Sequence, residues 1–77
     1  MHAVVLYGRP GCCLCDEARE ALEQIRGRIE FELAERNIED DDGLHRAYLE
    51  RIPVITIDGV EAFELFVDEP ELTRRLG

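Results

Sequence analysis

Residues 8–18 read GRPGCCLCDEA, and this stretch decides the fold because it links a buried strand to a helix through three cysteines. Residues 3–7, which precede it, are apolar at every position, as is typical of a strand covered on both faces. Residues 8–11 contain two glycines and a proline and predict a loop. Apolar residues then recur at helical spacing and predict an amphipathic helix over about residues 13–26. Projection of this helix centres its buried face near Leu14, Ala18, Ala21 and Ile25, with Cys15 on the flank of that face.

The remaining segments predict two more helices and three more strands. Residues 29–33 alternate between apolar and acidic, which favours a strand with one buried face whose glutamates protect an exposed edge. An acidic segment, 37–43, precedes a short helix that ends near Arg51. Strands at 54–57 and 60–64 flank an Asp58-Gly59 hairpin turn, and Asp68 begins a capping box for a last helix over 69–76. The predicted fold is α/β in the order βαβαββα, a mixed four-stranded sheet with three helices, forming a single domain over residues 1–77.

Composition limits the classes of function. Eighteen acidic and nine basic residues give the 77-residue chain a formal charge of −9, so no basic surface is available for nucleic acid or an anionic membrane. The apolar run at the N-terminus is too short for a signal peptide, and no stretch approaches the length of a membrane span. We therefore expect a cytoplasmic protein, and we expect a monomer.

The spacing of the cysteines favours redox chemistry. All three lie within four positions, so they cannot connect distant segments as structural disulfides do. A C-x-x-C motif between a buried strand and a helix brings the first and last thiols onto one turn. The N–H groups of the first helical turn favour a thiolate at Cys12, and Cys15 is the more shielded thiol. We predict that Cys12 attacks and Cys15 resolves; Cys13 receives no role, and Arg9 is a candidate for adding positive potential.

Two segments of the chain carry a family resemblance. The stretch VVLYGRPGCCLC at residues 4–15 and the stretch RIPVITIDG at residues 51–59 resemble a glutaredoxin of the thioredoxin superfamily, in particular the small bacterial glutaredoxin-like proteins. The resemblance implies a thioredoxin-like fold, with Cys12 as nucleophile and Cys15 as resolving thiol. It also implies a cis Pro53 that faces the redox-active disulfide and a backbone at Ile52 that pairs with substrate.

Two further residues match the family pattern, and three positions depart from it. The resemblance implies that Arg9 helps to hold glutathione and that Tyr7 is the aromatic residue ending the first strand. The family usually has Pro-Tyr or Pro-Phe between the cysteines, where this chain has Cys13-Leu14. Its Thr-Val-Pro triplet is replaced by residues 51–53, and residues 64–67 stand where its glycine pair after the fourth strand is expected, while Asp68 survives as a helix cap.

Together these observations predict a thiol–disulfide oxidoreductase that uses a Cys12/Cys15 couple. The expected partners are a disulfide-containing protein or a glutathione mixed disulfide, together with an external thiol reductant. No bound cofactor is required, and glutathione is a candidate co-substrate. Two alternatives stay open: metal or iron–sulfur cluster binding through the cysteines, and a thioredoxin-fold binding module without redox turnover.

Overall fold

The structure, a computed structural model, describes residues 2–77. Its elements follow the predicted order βαβαββα. They are β1 (Ala3–Gly8), α1 (Cys13–Arg26), β2 (Glu32–Asn37), α2 (Asp42–Tyr48), β3 (Val54–Ile57), β4 (Val60–Glu64) and α3 (Glu69–Leu76). A single 3-10 turn, Ile38–Asp40, precedes α2.

The four strands form one mixed sheet in the order β2-β1-β3-β4. β1 pairs with β2 in parallel, as a strand–helix–strand crossover through α1 requires. β3 pairs antiparallel with both β1 and β4. β1 and β3 are therefore the central strands. The C-terminal end of β1, where the cysteine loop begins, lies beside the N-terminal end of β3.

The main core lies between one face of the sheet and the helices α1 and α3. Its buried members are Val4, Leu6, Ala18, Leu22, Ile25, Phe31, Ile55, Leu72 and Leu76. A second, smaller cluster of buried residues contains Cys15, Ile38 and Ile52. The second cluster connects the cysteine motif to the segments before and after α2.

The prediction for the second strand is wrong in its bounds. The alternating segment 29–33 was expected to form it, whereas β2 begins at Glu32. The N–H groups of Arg28 and Ile29 both donate to the carbonyl of Ile25 at 2.9 Å, which prolongs the turn after α1. The parallel register with β1, in which Ala3 pairs with Glu32, then sets the start of the strand. The expected edge position is correct, and Glu32 is exposed there.

The predicted buried face of α1 is also displaced. Cys15, Ala18, Leu22 and Ile25 are buried, whereas Leu14 is 46% exposed. The face is thus centred one position further along the helix than the apolar residues alone indicated. Leu14 was expected in the core and instead lies at the surface, because Cys15 takes the inward position in the first turn.

The C-terminal half agrees more closely with the sequence. Asp58 and Gly59 both have positive φ, as the predicted two-residue hairpin turn requires. Asp68 caps α3 by accepting from the N–H of Glu71 at 3.2 Å; the Glu71 carboxylate bonds Arg74 rather than completing a capping box. α2 ends at Tyr48, earlier than predicted, because residues 49–51 form a turn before Pro53 and β3. No helix within residues 2–77 has the length and apolarity to cross a membrane.

Candidate functional site

The loop between β1 and α1 brings the cysteine motif against the end of the central strand. Gly11 has φ +80, a backbone conformation that glycine adopts without steric penalty. Gly8, the last residue of β1, is buried, and a methyl group built on it would lie 2.8 Å from Sγ of Cys15. Only a residue without a side chain allows the Cys15 thiol to pack so closely against the strand.

Cys12 occupies the N-cap position of α1. Its backbone is extended, with φ −89 and ψ 112, and its Sγ accepts a hydrogen bond from the backbone N–H of Cys15 at 3.3 Å. A thiol here replaces the serine or aspartate that usually accepts from the first turn of a helix. The positive end of the helix and this N–H donor together provide an environment suited to a thiolate.

The three cysteines, all free thiols, differ in accessibility. Cys12 is half-buried, Cys13 is exposed and Cys15 is only 2% exposed. The pKa of the Cys15 thiol is raised to about 11, chiefly by burial and also by the hydrogen bond and charge interaction with Cys12, while a backbone hydrogen bond from Arg9 opposes the shift. The motif therefore places one accessible sulfur at the helix terminus and one protonated sulfur behind it.

The loop before β3 lies against the same buried cluster. The Ile52–Pro53 peptide bond is cis, and both residues are buried. Ile52 packs with Cys15 and Ile38, and Cys12 is among the partly buried residues around this cluster. Ile52 and the two cysteines of the C-x-x-C motif therefore belong to or pack against the same hydrophobic cluster.

Tyr7 is held in place by an aromatic contact with α2. Its ring centroid lies 5.1 Å from that of Tyr48, with the two planes tilted by 44°. The guanidinium of Arg51 stacks over the Tyr48 ring at 5.4 Å and is itself bonded to Glu61 and Glu64. Tyr7 packs against the cluster of Cys15, Ile38 and Ile52, and Tyr48 and Arg51 connect it to the segment that carries Ile52 and Pro53.

The position of Arg9 differs from that of most of the other predicted site residues, because Arg9 is not part of this cluster. Its side chain is exposed, and it lines a cavity of about 440 Å³ between the start of α1 and the end of β2. Cys15 forms part of the wall of this cavity, while Cys12, Ile52 and Pro53 do not. Arg19, which also lines it, is paired with Asp16 and Glu35 at 3.0 and 2.5 Å. Arg9 is absent from the cluster that holds Tyr7, Cys12, Cys15 and Ile52, and it adjoins that cluster only through Cys15, with which it shares a backbone hydrogen bond and the cavity wall.

The sequence analysis did not identify several residues that shape this site. Gly8 gave only the weak signal of a glycine at the end of an apolar strand. Ile38 and Tyr48 lie in segments whose local pattern indicated an acidic linker and a short helix, without a link to the cysteines. Leu65 adopts φ +71, a conformation that is uncommon outside glycine, and its N–H donates to the carbonyls of Pro53 and Arg51 at 2.9 and 3.1 Å. No pattern in residues 60–67 indicates that conformation.

Within residues 2–77, no three His, Cys, Asp or Glu side chains are grouped so that they could hold a metal ion. The C-x-x-C thiols are instead arranged around a helix terminus and a hydrophobic cluster, as described above. Cys13 is exposed and is not a member of that cluster.

Comparison with solved structures shows the same fold in other proteins. Protein Ne2328 from Nitrosomonas europaea is 32% identical, with a TM-score of 0.87, and the match covers 99% of this chain and 92% of that one. Protein XcR50 from X. campestris is 36% identical, with a TM-score of 0.79, and the match covers 95% and 93%. A mutant thioredoxin from Halobacterium salinarum is 19% identical with a TM-score of 0.70, covering 97% and 71%, and this similarity concerns the fold alone.

Comparison with curated protein sequences gives no significant match. A family model for the glutaredoxin-like domain (DUF836) matches residues 3–77, almost the full length of the chain. The order of elements, the mixed sheet and the two structural relatives above 30% identity agree with that match. The chain therefore belongs to the glutaredoxin-like domain family and is a glutaredoxin-like protein of the thioredoxin superfamily.

Proposed function

We propose that the protein is a thiol–disulfide oxidoreductase whose redox couple is Cys12 and Cys15. The observation that carries the proposal is the contrast between the two thiols. Cys12 is accessible at the N-terminus of α1 and accepts an N–H from the first turn, whereas Cys15 is 2% exposed with a pKa raised to about 11. This contrast supports an attacking role for Cys12 and a resolving role for Cys15.

In the first step, the Cys12 thiolate attacks one sulfur of a substrate disulfide. A bond forms between Sγ of Cys12 and that sulfur, the substrate S–S bond breaks, and the second substrate sulfur leaves as a thiolate that takes up a proton. Cys15 then loses its proton and attacks Sγ of Cys12. The mixed disulfide breaks, the first substrate sulfur leaves as a thiolate, and a Cys12–Cys15 disulfide remains.

Two electrons have then passed from the protein to the substrate disulfide, and an external thiol reductant must restore the dithiol. In this proposal the substrate is a protein disulfide or a glutathione mixed disulfide, and glutathione is a candidate donor. The buried cis Ile52–Pro53 segment beside the cysteines supports a role for its backbone in aligning the substrate. Tyr7 would fix that surface from below, and Arg9 would contribute positive charge from the neighbouring cavity.

A set of cysteine variants tests the proposal. Pre-reduced wild type, Cys12→Ser, Cys15→Ser and Cys13→Ser are mixed with a small disulfide such as hydroxyethyl disulfide in the absence of other thiols. We expect wild type and Cys13→Ser, the matched control, to deliver two electrons each. Cys12→Ser should be inactive, and Cys15→Ser should stop as a mixed disulfide detectable by mass spectrometry. Full activity of Cys12→Ser would refute the proposal.

A further inference from the structure

A shallow apolar groove lies beside the cysteine motif. Leu14 in the first turn of α1 and the pair Leu65 and Phe66 after β4 are 46%, 44% and 69% exposed. They line a cavity of about 180 Å³ between α1 and the connection from β4 to α3. We call this surface the Leu14–Phe66 groove; its other lining residues are Glu17, Ala18, Ala21, Val67 and Glu69.

The backbone that presents the groove is fixed in an unfavourable conformation. Leu65 has φ +71, which brings Cβ close to the following carbonyl oxygen in any residue other than glycine. Its N–H nevertheless donates to the carbonyls of Pro53 and Arg51, and the N–H of Phe66 donates to the carbonyl of Glu64 at 2.8 Å. Such strain persists where the surrounding structure imposes it, and it is concentrated at functional sites.

These hydrogen bonds also connect the groove to the proposed active site. Leu65 bonds directly to the carbonyl of Pro53, the cis-proline that lies beside the buried cysteine cluster. On the opposite wall, Leu14 is two residues from Cys12 in the same first turn. A polypeptide attached to Cys12 and aligned along Ile52–Pro53 would therefore have its neighbouring side chains next to the groove.

The charge around the groove indicates what kind of polypeptide fits. Glu17 and Glu69 line it from either side, no basic residue does so, and the chain carries a formal charge of −9. A segment with a bulky apolar side chain and a basic side chain beside its cysteine would complement both the apolar floor and the acidic rim. Glutathione would not, because it has two carboxylates and no bulky apolar side chain.

We propose that the Leu14–Phe66 groove binds an apolar, basic segment of a disulfide-bearing protein, so that the substrate attacked by Cys12 is a protein of this kind rather than a glutathione mixed disulfide. This inference rests on the proposed redox function. The groove supplies recognition only; the thiolate attack, the electron transfer and the external thiol reductant are those given above.

Mixed disulfides of thionitrobenzoate with short cysteine peptides test the proposal. The cysteine is flanked by Phe and Lys, by Phe and Glu, or by Gly and Ser, and a fourth probe carries glutathione. Attack on the peptide sulfur releases coloured thionitrobenzoate, so the second-order rate constant can be measured in a single turnover. All proteins are pre-reduced and carry Cys13→Ser, which removes the exposed spectator thiol.

We expect the Phe/Lys probe to react about tenfold faster than the Gly/Ser probe and the glutathione probe, because a buried aromatic side chain stabilises the encounter. The Phe/Glu probe should be slower than the Phe/Lys probe, and the difference should shrink as salt rises from about 0.05 to about 0.5 M. This salt comparison uses only the Cys13→Ser protein and therefore does not depend on whether groove variants fold.

The double variant Leu65→Gly/Phe66→Ser should reduce the preference for the Phe/Lys probe to less than about threefold. Its circular-dichroism spectrum should match that of the parent, which shows that the fold is intact. Val60→Ser is the matched control, because Val60 is 68% exposed but lies at the hairpin turn, at the opposite end of β3 and β4 from Pro53. It should retain the full preference.

The outcomes separate the two proposals. If hydroxyethyl disulfide is reduced but the four probes react at similar rates, or the glutathione probe reacts fastest, the groove proposal is refuted and the redox function stands. If no disulfide is reduced, both fail. If the protein sediments as a dimer that the double variant disperses, a second copy of the chain covers the groove, and the proposed substrate site is likewise refuted.

Discussion

The close contact between Gly8 and Cys15 leads to a prediction about the coupling of these two positions. A methyl group on Gly8 would lie 2.8 Å from Sγ of Cys15 and 3.2 Å from its Cβ, both shorter than an ordinary van der Waals contact. Gly8 does not have a positive φ, so its backbone accepts alanine without strain. Any effect of Gly8→Ala on stability therefore reflects the displacement of Cys15.

The expected size of the effect follows from two opposing contributions. Overpacking a buried site destabilises a protein by about 1–3 kcal/mol. Replacing glycine by alanine restricts the unfolded chain and stabilises the fold by about 0.4–1 kcal/mol. We therefore expect Gly8→Ala to lower the free energy of unfolding by about 1–2 kcal/mol.

A double-mutant cycle with Cys15→Ala isolates the contact. Once the sulfur is removed, the new methyl group occupies the space it leaves, and Gly8→Ala should become neutral or slightly stabilising. The coupling free energy between the two substitutions should then be about 1–3 kcal/mol. The four proteins are compared by urea denaturation at pH 7 in the presence of a reductant, so that no disulfide contributes.

Gly27→Ala provides the matched control. Its methyl group would lie 3.4 Å from the carbonyl oxygen of Gln24, an ordinary contact, and its φ of −68 suits alanine. This variant should be neutral or more stable by up to about 1 kcal/mol. A coupling of less than about 0.5 kcal/mol between Gly8 and Cys15 would refute the packing argument.

Three further predictions concern titration and backbone strain. The pKa of Cys15 is raised from 9.0 to about 11 in the folded protein, so its stabilising contribution is present below pH 9 and is lost as the pH rises through 11. Between pH 9 and pH 11, the free energy of unfolding measured by urea denaturation should fall by about 3 kcal/mol more for wild type than for Cys15→Ala. Equal decreases in the two proteins would contradict the raised pKa of Cys15. The guanidinium groups of Arg74 and Arg75 lower the pKa of Glu71 from 4.5 to about 2, so the stabilising contribution of Glu71 is present above pH 4.5 and is lost as the pH falls towards 2. Thermal unfolding of Glu71→Gln should depend less on pH in this range, and an unchanged dependence would count against the pairing. The free energy of unfolding of Leu65→Gly should remain within about 1 kcal/mol of the wild-type value, because relief of the strain at φ +71 offsets the greater chain entropy of glycine. That of Leu65→Val should fall by more than about 1 kcal/mol. Equal urea midpoints for the two variants would show that the strain is absent.

Much of the fold could be predicted from local pattern, because several elements have strong local determinants. The hairpin is specified by Asp58 and Gly59, whose positive φ values suit the turn. The helix α3 is specified by Asp68, which caps it, and by a proline in its first turn. In both cases the residues that set the geometry lie within the element itself, so the alternation or spacing of neighbouring residues indicates the correct bounds.

The errors occurred where contacts distant in sequence set the geometry. The start of β2 is fixed by its parallel register with β1, so the alternation of residues 29–33 was not informative about it. Its later residues, including Glu35 and Arg36, are exposed at an edge and carry no hydrophobic signal. Leu14 was assigned to the core from helical spacing, but Cys15 takes the inward position against Gly8, a contact made across the loop.

The candidate site shows the same division. The C-x-x-C spacing and the strand–helix context are local features, and they were sufficient to select Cys12 and Cys15 as the candidate redox couple. The positive φ of Leu65 depends on hydrogen bonds to Arg51 and Pro53, more than ten residues earlier, and no local pattern predicts it. The strained residue that presents the proposed groove could therefore be found only in the structure.

The protonated state of Cys15 is consistent with the resolving role proposed for it, because the environment of the thiol changes during the proposed reaction. Burial is the largest cause of its raised pKa, but the hydrogen bond and the charge interaction with Cys12 add to it. Once Cys12 is part of a mixed disulfide, it carries no charge, and the charge interaction is lost while the burial remains. Ionisation of Cys15 therefore becomes easier only after Cys12 has captured a substrate. This electrostatic coupling supports the proposed order of the two steps, since the charge interaction that disfavours ionisation of Cys15 is present only while the Cys12 thiolate is free to attack.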